Sequence, residues 1–171
     1  MFLNHKVTNI IFNLFSGLIL FLAMTPAAYS SEVIGWVENV GISHVNTIVR
    51  AKIDTGADSS SLHCDCITPY EKDGDQWVRF SITDVEGESV SYERKIIGNV
   101  TIKRHFGDSQ QRYVVRMGFC IGKVYAETDV NLVDRSGFSY DLLIGRKFLK
   151  DRFIVDSSKE FTTRPSCDVD S

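Results

Sequence analysis

Several chemistries are missing from this chain of 171 residues. It contains no His-Glu-x-x-His segment, and the histidines beyond residue 30, His44, His63 and His105, lie far apart, which removes the usual helical zinc site. His63-Cys64-Asp65-Cys66 carries ligand types, but at this spacing on a strand they do not all converge, so no metal site is expected. No glycine-rich loop ends in Gly-Lys-Ser or Gly-Lys-Thr, so nothing cradles nucleotide phosphates, and no cofactor is expected. Ser59-Ser60-Ser61 lacks a Gly-x-Ser-x-Gly elbow, and Cys64 beside His63 is sequential rather than facing, which argues against serine and cysteine nucleophiles. The net charge is −3 and the basic residues are scattered, which argues against nucleic acid or an anionic membrane as partner. There is no repeat at solenoid spacing and no low-complexity linker.

What is present begins with an apolar leader. Lys6, with His5, forms a short positive start; 10–24 is largely apolar; Ala28-Tyr29-Ser30 offers small residues for cleavage after Ser30. Residues 1–30 therefore read as a signal peptide, with export to the periplasm or outside as the expected fate. The alternative is an uncleaved membrane anchor, although the apolar run is marginal against the roughly 20 residues of a spanning helix. The remainder, 31–171, is one domain's worth of chain, with the domain proper at 31–160 and a polar, frayed tail at 161–171. Its four cysteines, Cys64, Cys66, Cys120 and Cys167, allow three disulfide pairings in an oxidising compartment. Cys64 and Cys66 would face the same side of an extended strand, and a bridge from one of them to Cys120 or Cys167 is expected.

Strand signals dominate this remainder. Val33 to Val40 and His44 to Ile53 read as short strands broken at Gly41, and Trp77-Val78-Arg79-Phe80-Ser81-Ile82 alternates apolar with polar residues. Turn residues at Asp73-Gly74-Asp75 and Glu86-Gly87-Glu88 lead into further strands, among them Ser89 to Ile97, Arg112 to Met117 and Tyr125 to Val133. Asp134-Arg135-Ser136-Gly137 is a turn from which Phe138 to Ile144 returns. Only Arg146 to Asp151 looks helical, before a last apolar strand at Phe153 to Val155. Many short strands with frequent turns predict an all-β small barrel or sandwich.

One segment carries chemistry. Val49-Arg50-Ala51-Lys52-Ile53 runs, strand-like, into Asp54-Thr55-Gly56-Ala57-Asp58. A carboxylate at a tight turn, a hydroxyl to brace it and a glycine that admits close backbone approach suit an aspartic peptidase. The bland alternative is a turn in which Asp makes a local hydrogen bond. The motif occurs once, whereas that chemistry needs two carboxylates sharing a proton, so a second chain would have to supply the other.

Downstream lies Leu142-Leu143-Ile144-Gly145-Arg146, followed by the short helical segment. With Asp54-Thr55-Gly56-Ala57-Asp58 before it, the chain resembles the retroviral-type aspartic peptidases, the retropepsins, over roughly 48–155. It is more similar still to a bacterial retropepsin-like subfamily, through Ala51 to Ala57, Ser60-Ser61-Leu62-His63, Trp77-Val78-Arg79-Phe80 and Asp134-Arg135-Ser136-Gly137. Members of that subfamily are often labelled ATP-dependent zinc proteases, and some are associated with ATP-grasp ligases that add glutamate. Neither the zinc nor the ATP of that label finds its residues here.

The resemblance implies a small closed retropepsin-like barrel with one short C-terminal helix, working as a homodimer on a peptide or protein substrate. Asp54 would be the catalytic carboxylate and Thr55 would bond across the dimer. Gly56 and Ala57 would keep the turn small, and Asp58 would pair with Arg146, which Gly145 places. An ATP-grasp ligase system is the implied functional associate. The hairpin at Val85 to Ser89 and the loop at His105 to Gln111 are the two candidates for a cover over the site. The rival readings are a non-catalytic peptide-binding module on the same fold and a zinc peptidase.

Overall fold

The first strand, β1 (Glu32–Ile42), is the hub of the molecule, because three other strands pair with it. The computed structural model describes residues 31–43, 47–102 and 109–167. The signal peptide expected at 1–30 lies outside them, as do residues 44–46, 103–108 and 168–171. Within the described residues the chain forms ten strands and one short helix. Beyond β1 these are β2 (Thr47–Ile53), β3 (Ser60–His63), β4 (Asp65–Lys72), β5 (Asp75–Thr83), β6 (Ser89–Ile102), β7 (Gln110–Ile121), β8 (Val124–Val133), β9 (Leu142–Ile144), helix α1 (Arg146–Leu149) and β10 (Phe153–Glu160).

The strands run β10-β1-β2-β9-β3-β8-β7-β6-β5-β4. Pairing of Gly41 with Cys120 and of Ile42 with Phe119 joins β1 to β7 and closes a six-stranded barrel from β1, β2, β9, β3, β8 and β7. Hairpins β6-β5-β4 continue as an arm beyond β7, and β10 lies outside β1. Period-two alternation decides which face each strand buries. In β2, Thr47, Val49, Ala51 and Ile53 point inward; in β5, Val78, Phe80 and Ile82 do. Phe148, on α1, is fully buried and stacks on Phe153 and edge-on against Phe119, which seats the helix on the barrel. A buried aromatic of this kind contributes about 3 kcal/mol of hydrophobic stabilisation.

The all-β barrel with one short helix agrees with the sequence-based expectation, but several details differ. Strands β3 and β4 carry no clear alternation and were not expected. Phe138 to Ile144 is mostly loop, with only Leu142–Ile144 in the sheet. Cys64 and Cys66 do not share a side: a bulge between Asp65 and Thr68, with Cys66 at φ 53°, turns Cys66 outward while Cys64 is buried. The disulfide joins Cys120 to Cys167, so neither Cys64 nor Cys66 is bridged. Burial pushes the Cys64 thiol up to about 12, which makes it inert.

The segment after Phe161 is not frayed over its described length. Glu38, fully buried in β1, accepts hydrogen bonds from the N–H of Gly35 and from the N–H and hydroxyl groups of both Thr162 and Thr163. Ser166 then donates to the Gly122 carbonyl, and Cys167 closes the disulfide. The tail reads as polar because its polar groups compensate a buried charge rather than meet water.

Burial raises the Glu38 pKa, but the bonds from Thr162, Gly35 and Thr163 outweigh it and hold the carboxyl below its usual value. A depressed folded-state pKa means that its stabilising effect is complete above the unfolded value and is lost as pH falls through the folded one. Chemical denaturation should therefore show Glu38→Gln less stable than wild type by about 2–3 kcal/mol near neutral pH. The difference should shrink as the medium is acidified below the ordinary carboxylate range.

Candidate active site

The central feature is a turn held between two neighbouring strands. β2 and β9 run parallel with Ala51, Lys52 and Ile53 opposite Leu142, Leu143 and Ile144. One residue past β2, the N–H of Asp54 donates to the Ile144 carbonyl at 2.9 Å, so the carboxylate begins where the ladder ends. The chain then turns: Ala57 N–H returns to the Asp54 carbonyl, and Gly56 N–H donates to Asp54 Oδ1 at 3.0 Å. The other oxygen, Oδ2, lies 3.4 Å from Lys52 Nζ. Fixed by its strand and its own turn, the carboxylate is a quarter exposed on the outer face of the sheet, as a group that meets substrate must be.

The second motif grips the turn from below. Arg146 N–H donates to the Ala57 carbonyl and Lys147 N–H to the Asp58 carbonyl, while Arg146 Nη1 donates to the carbonyls of Thr55 (3.1 Å) and Gly56 (2.8 Å). Gly145 leaves room for this approach. A Cβ there would lie 2.6 Å from the Ser59 carbonyl oxygen and 2.7 Å from its carbon. The expected Asp58–Arg146 pair is the weaker half of what forms: Lys147 Nζ reaches Asp58 at 2.9 Å and Arg146 Nη2 stands at 3.7 Å. The guanidinium is instead committed to the turn carbonyls. Lys147, with a lesser contribution from Arg146, holds the Asp58 carboxyl below its usual value.

The structure thus brings together Asp54, Thr55, Gly56, Ala57, Asp58, Gly145 and Arg146. It also adds residues that motif reading did not assign. Ser60 Oγ accepts the Gly145 N–H, and Asn131 donates to the Ser60 carbonyl. Ser61 Oγ accepts from the buried Arg135. Ser60 and Ser61 thus support the partner motif and the loop after β8. Only the spacing of Lys52 from Asp54, two apart on one strand face, was a readable signal for its contact. His63, Cys64 and Cys66 point apart, while Asp65 Oδ1 stands 3.8 Å from His63 Nε2. His63 Nδ1 accepts the Arg135 N–H, Cys64 Sγ is buried at the Leu62 carbonyl, and Cys66 faces solvent.

One cover candidate sits at the wrong end. The Asp84–Glu88 turn is docked by Val85 N–H on the Ile48 carbonyl, about 20 Å along β2 from Asp54. The other falls at the tip of the β6–β7 hairpin, where 103–108 lie outside the described residues.

A family model described as RimB-like, retropepsin-like aspartic endopeptidase RimB, matches residues 33–166. The chain belongs to the RimB-like family. Its barrel is similar to the crystal structure of Lpg0085 from Legionella pneumophila subsp. pneumophila str. Philadelphia 1, a protein of unknown function. The identity is 34%, the TM-score 0.68, and the match covers 79% of this chain and all of that one. Among curated relatives, the RimB-like chain is 29% identical over 116 residues to a probable alpha-L-glutamate ligase from Shewanella pealeana and 30% identical over 111 residues to one from Desulfotalea psychrophila. These matches cover 66% and 63% of this chain but only 25% and 24% of the relatives, so the chain spans about a quarter of the curated relatives it matches.

Gly145→Ala should destabilise the RimB-like barrel by about 1–3 kcal/mol, because the new methyl meets backbone that cannot move aside alone. The thermal midpoint measures it, and an unchanged midpoint would show that Ser59 yields freely.

Proposed function

We propose that this RimB-like chain is an exported endopeptidase in which Asp54 of one copy faces Asp54 of a second. The observation that carries the proposal is the Asp54 carboxylate itself. It is placed at a strand end, bound by the Gly56 N–H, and locked from below by Arg146 through the Thr55 and Gly56 carbonyls. A peptide-binding surface without catalysis has no need of a carboxylate fixed by a backbone N–H on one oxygen and faced by Lys52 on the other.

Two such groups close together cannot both ionise readily, so the pair holds one proton between them. The ionised partner draws a proton from a bound water as it attacks the scissile carbonyl, and the protonated partner donates to the carbonyl oxygen. In the collapse, the carboxyl that took the water proton gives it to the leaving nitrogen, and a hydroxyl of the tetrahedral species returns a proton to the other carboxylate, so the pair again holds one.

Support for a second copy comes from the surface beside the turn. An open depression of about 460 Å³ is lined by Thr55, Leu149, Phe153, Val155, Lys147 and Lys150 among others. Thr55, exposed at its rim, is the residue assigned by family resemblance to bond across the dimer. The Cys120–Cys167 disulfide supports an oxidising compartment and hence export. The names of the curated relatives support a functional association with glutamate-adding ATP-grasp ligases.

Four measurements test this. Asp54→Asn should abolish cleavage of a broad peptide library and leave the circular dichroism spectrum and thermal midpoint of the folded chain nearly unchanged; equal cleavage by both proteins removes Asp54 from the chemistry. In an equimolar mixture, a shared dyad leaves about a quarter of the dimers with two Asp54 residues, whereas independent monomers keep about half their activity. A chelator should leave the rate untouched, and loss that zinc restores would favour a metallopeptidase. Saturable peptide binding with no cleavage would favour the binding module.

A further inference from the structure

The described residues end in a segment that is neither strand nor helix. After β10, residues 161–167 run as a strap back along β1. At its start the Phe161 N–H donates to the Val37 carbonyl. Thr162 and Thr163 then bond to Glu38. Pro165 lies on Gly41, where an added Cβ would stand 3.3 Å from the Pro165 Cβ and 3.4 Å from that of Cys120. The Ser166 N–H and hydroxyl donate to the Gly122 carbonyl between β7 and β8, and Cys167 is joined to Cys120. The strap therefore crosses from β1 to β7 over the place where these strands meet.

That join is narrow. β1 meets β7 through Gly41 with Cys120 and Ile42 with Phe119, helped by the Ser43 N–H on the Gly118 carbonyl. β7 meets β8 through eight residue pairs. β1 also links the join to the candidate site. Gly41 lies opposite Ile48 on β2, and Val37 lies opposite Lys52, two residues before Asp54. The strap thus spans β1 from the residue beside Lys52 to the seam of the barrel.

Little besides the disulfide holds the strap down. Phe161, Thr162, Arg164 and Ser166 are exposed, so it buries little apolar surface. Among the described residues Glu38 accepts from five donors, and four of them are the N–H and hydroxyl groups of Thr162 and Thr163. If the strap lifts, the carboxylate exchanges those four for water, which costs far less than unfolding the barrel. Cys167 is partly exposed, so a thiol reagent can reach the bridge.

We propose that the Cys120–Cys167 disulfide is a latch that makes the geometry of the Asp54 turn conditional on oxidation. With both thiols free the strap lifts, the β1–β7 join opens, and the strand pairs that hold Asp54 loosen. A disulfide-bearing oxidant closes the latch. Cys120 and Cys167 each give up one proton and one electron as their sulfur–sulfur bond forms, and the oxidant's disulfide is reduced to two thiols. Thr162 and Thr163 on Glu38 are positioning groups, because they set Cys167 against Cys120 before the bond forms. The consequence for activity rests on the exported endopeptidase reading: such an enzyme stays slack until it leaves the reducing compartment in which it is made.

Hydrogen exchange read by mass spectrometry tests the latch without a substrate. The oxidised chain, the same chain reduced by an excess of a small dithiol, and Cys167→Ser are compared, with circular dichroism to establish that each is folded. Reduction and Cys167→Ser should each speed exchange about ten-fold or more in the strap, at 37–42, at 117–121 and at 51–54, and leave β4, at the far edge of the arm, unchanged. Should Cys167→Ser fail to fold, reversible reduction of the native chain gives the same reading. Folded Glu38→Gln should shift the thiol–disulfide equilibrium against glutathione about ten-fold toward the thiols, and Cys66→Ser should leave it where it is. Faster exchange in the strap alone, or equal exchange in all forms, overturns the inference; an unchanged equilibrium in Glu38→Gln overturns the positioning role. Cleavage of the peptide library should fall about ten-fold on reduction and return on reoxidation with glutathione disulfide. An undiminished rate in the reduced chain also overturns the inference. If exchange responds as expected while neither redox state cuts any peptide, the latch stands and the endopeptidase reading falls.

Discussion

The parallel pairing of β2 with β9 is the constraint on which the rest depends. It ends in a single hydrogen bond, Asp54 N–H to the Ile144 carbonyl, that passes from ordinary sheet to the turn. On one side of that bond the chain goes on into Thr55 and Gly56; on the other it enters Gly145 and Arg146. Two segments about ninety residues apart are thereby held in one register, and every other contact at the site is set by it. The barrel serves this pairing. β3 flanks β9, β8 flanks β3, and the closure of β1 on β7 stops the sheet from shearing. A one-residue slip of β9 would turn Leu142 and Ile144 out of the core, so burial of those two side chains guards the geometry of the turn.

The molecule handles charge in three ways. Where a charge has only to be stored, as at Glu38, the chain surrounds it with backbone and hydroxyl donors drawn from distant sequence. Exposed pairs such as Arg79–Glu93 and Arg116–Asp129 lie on the outside of the arm and barrel, where solvent screens them. At the site, Asp54 is bound by groups that leave one side open, and Arg146 spends its guanidinium on carbonyls rather than on Asp58. The backbone of the turn is thus fixed by an arginine whose charge is shared among several acceptors, which keeps the turn rigid without neutralising it.

Much of this was legible in the sequence. The alternation of β2 and β5 and the apolar run before Gly145 state the strands and the core directly. Asp54-Thr55-Gly56 and Gly145-Arg146 name the two halves of the site. What was hidden depends on long-range compensation. The tail looks disordered by composition, and only the buried carboxylate of Glu38 explains why Thr162 and Thr163 are ordered. β4 was hidden because both its faces are largely exposed, so no alternation marks it. The cysteine pairing was hidden because a single left-handed residue, Cys66, reverses the side on which its neighbours lie. Arg135 looked like part of a turn, and nothing local signals that its side chain lies buried against Ser61, 74 residues away.

The disulfide has a topological consequence. Cys120 and Cys167, 47 residues apart, close a covalent ring that contains β8, β9, α1 and β10, and with them Gly145 and Arg146. On a chain-entropy view such a ring restricts the unfolded chain by about 4 kcal/mol. Asp54 lies outside it. A backbone cut anywhere within the ring leaves two fragments still joined by sulfur, whereas a cut in the arm between β4 and β6 parts Asp54 from its support with no covalent link left. The arm, not the loops around Arg135, is therefore where a single nick can take this molecule apart.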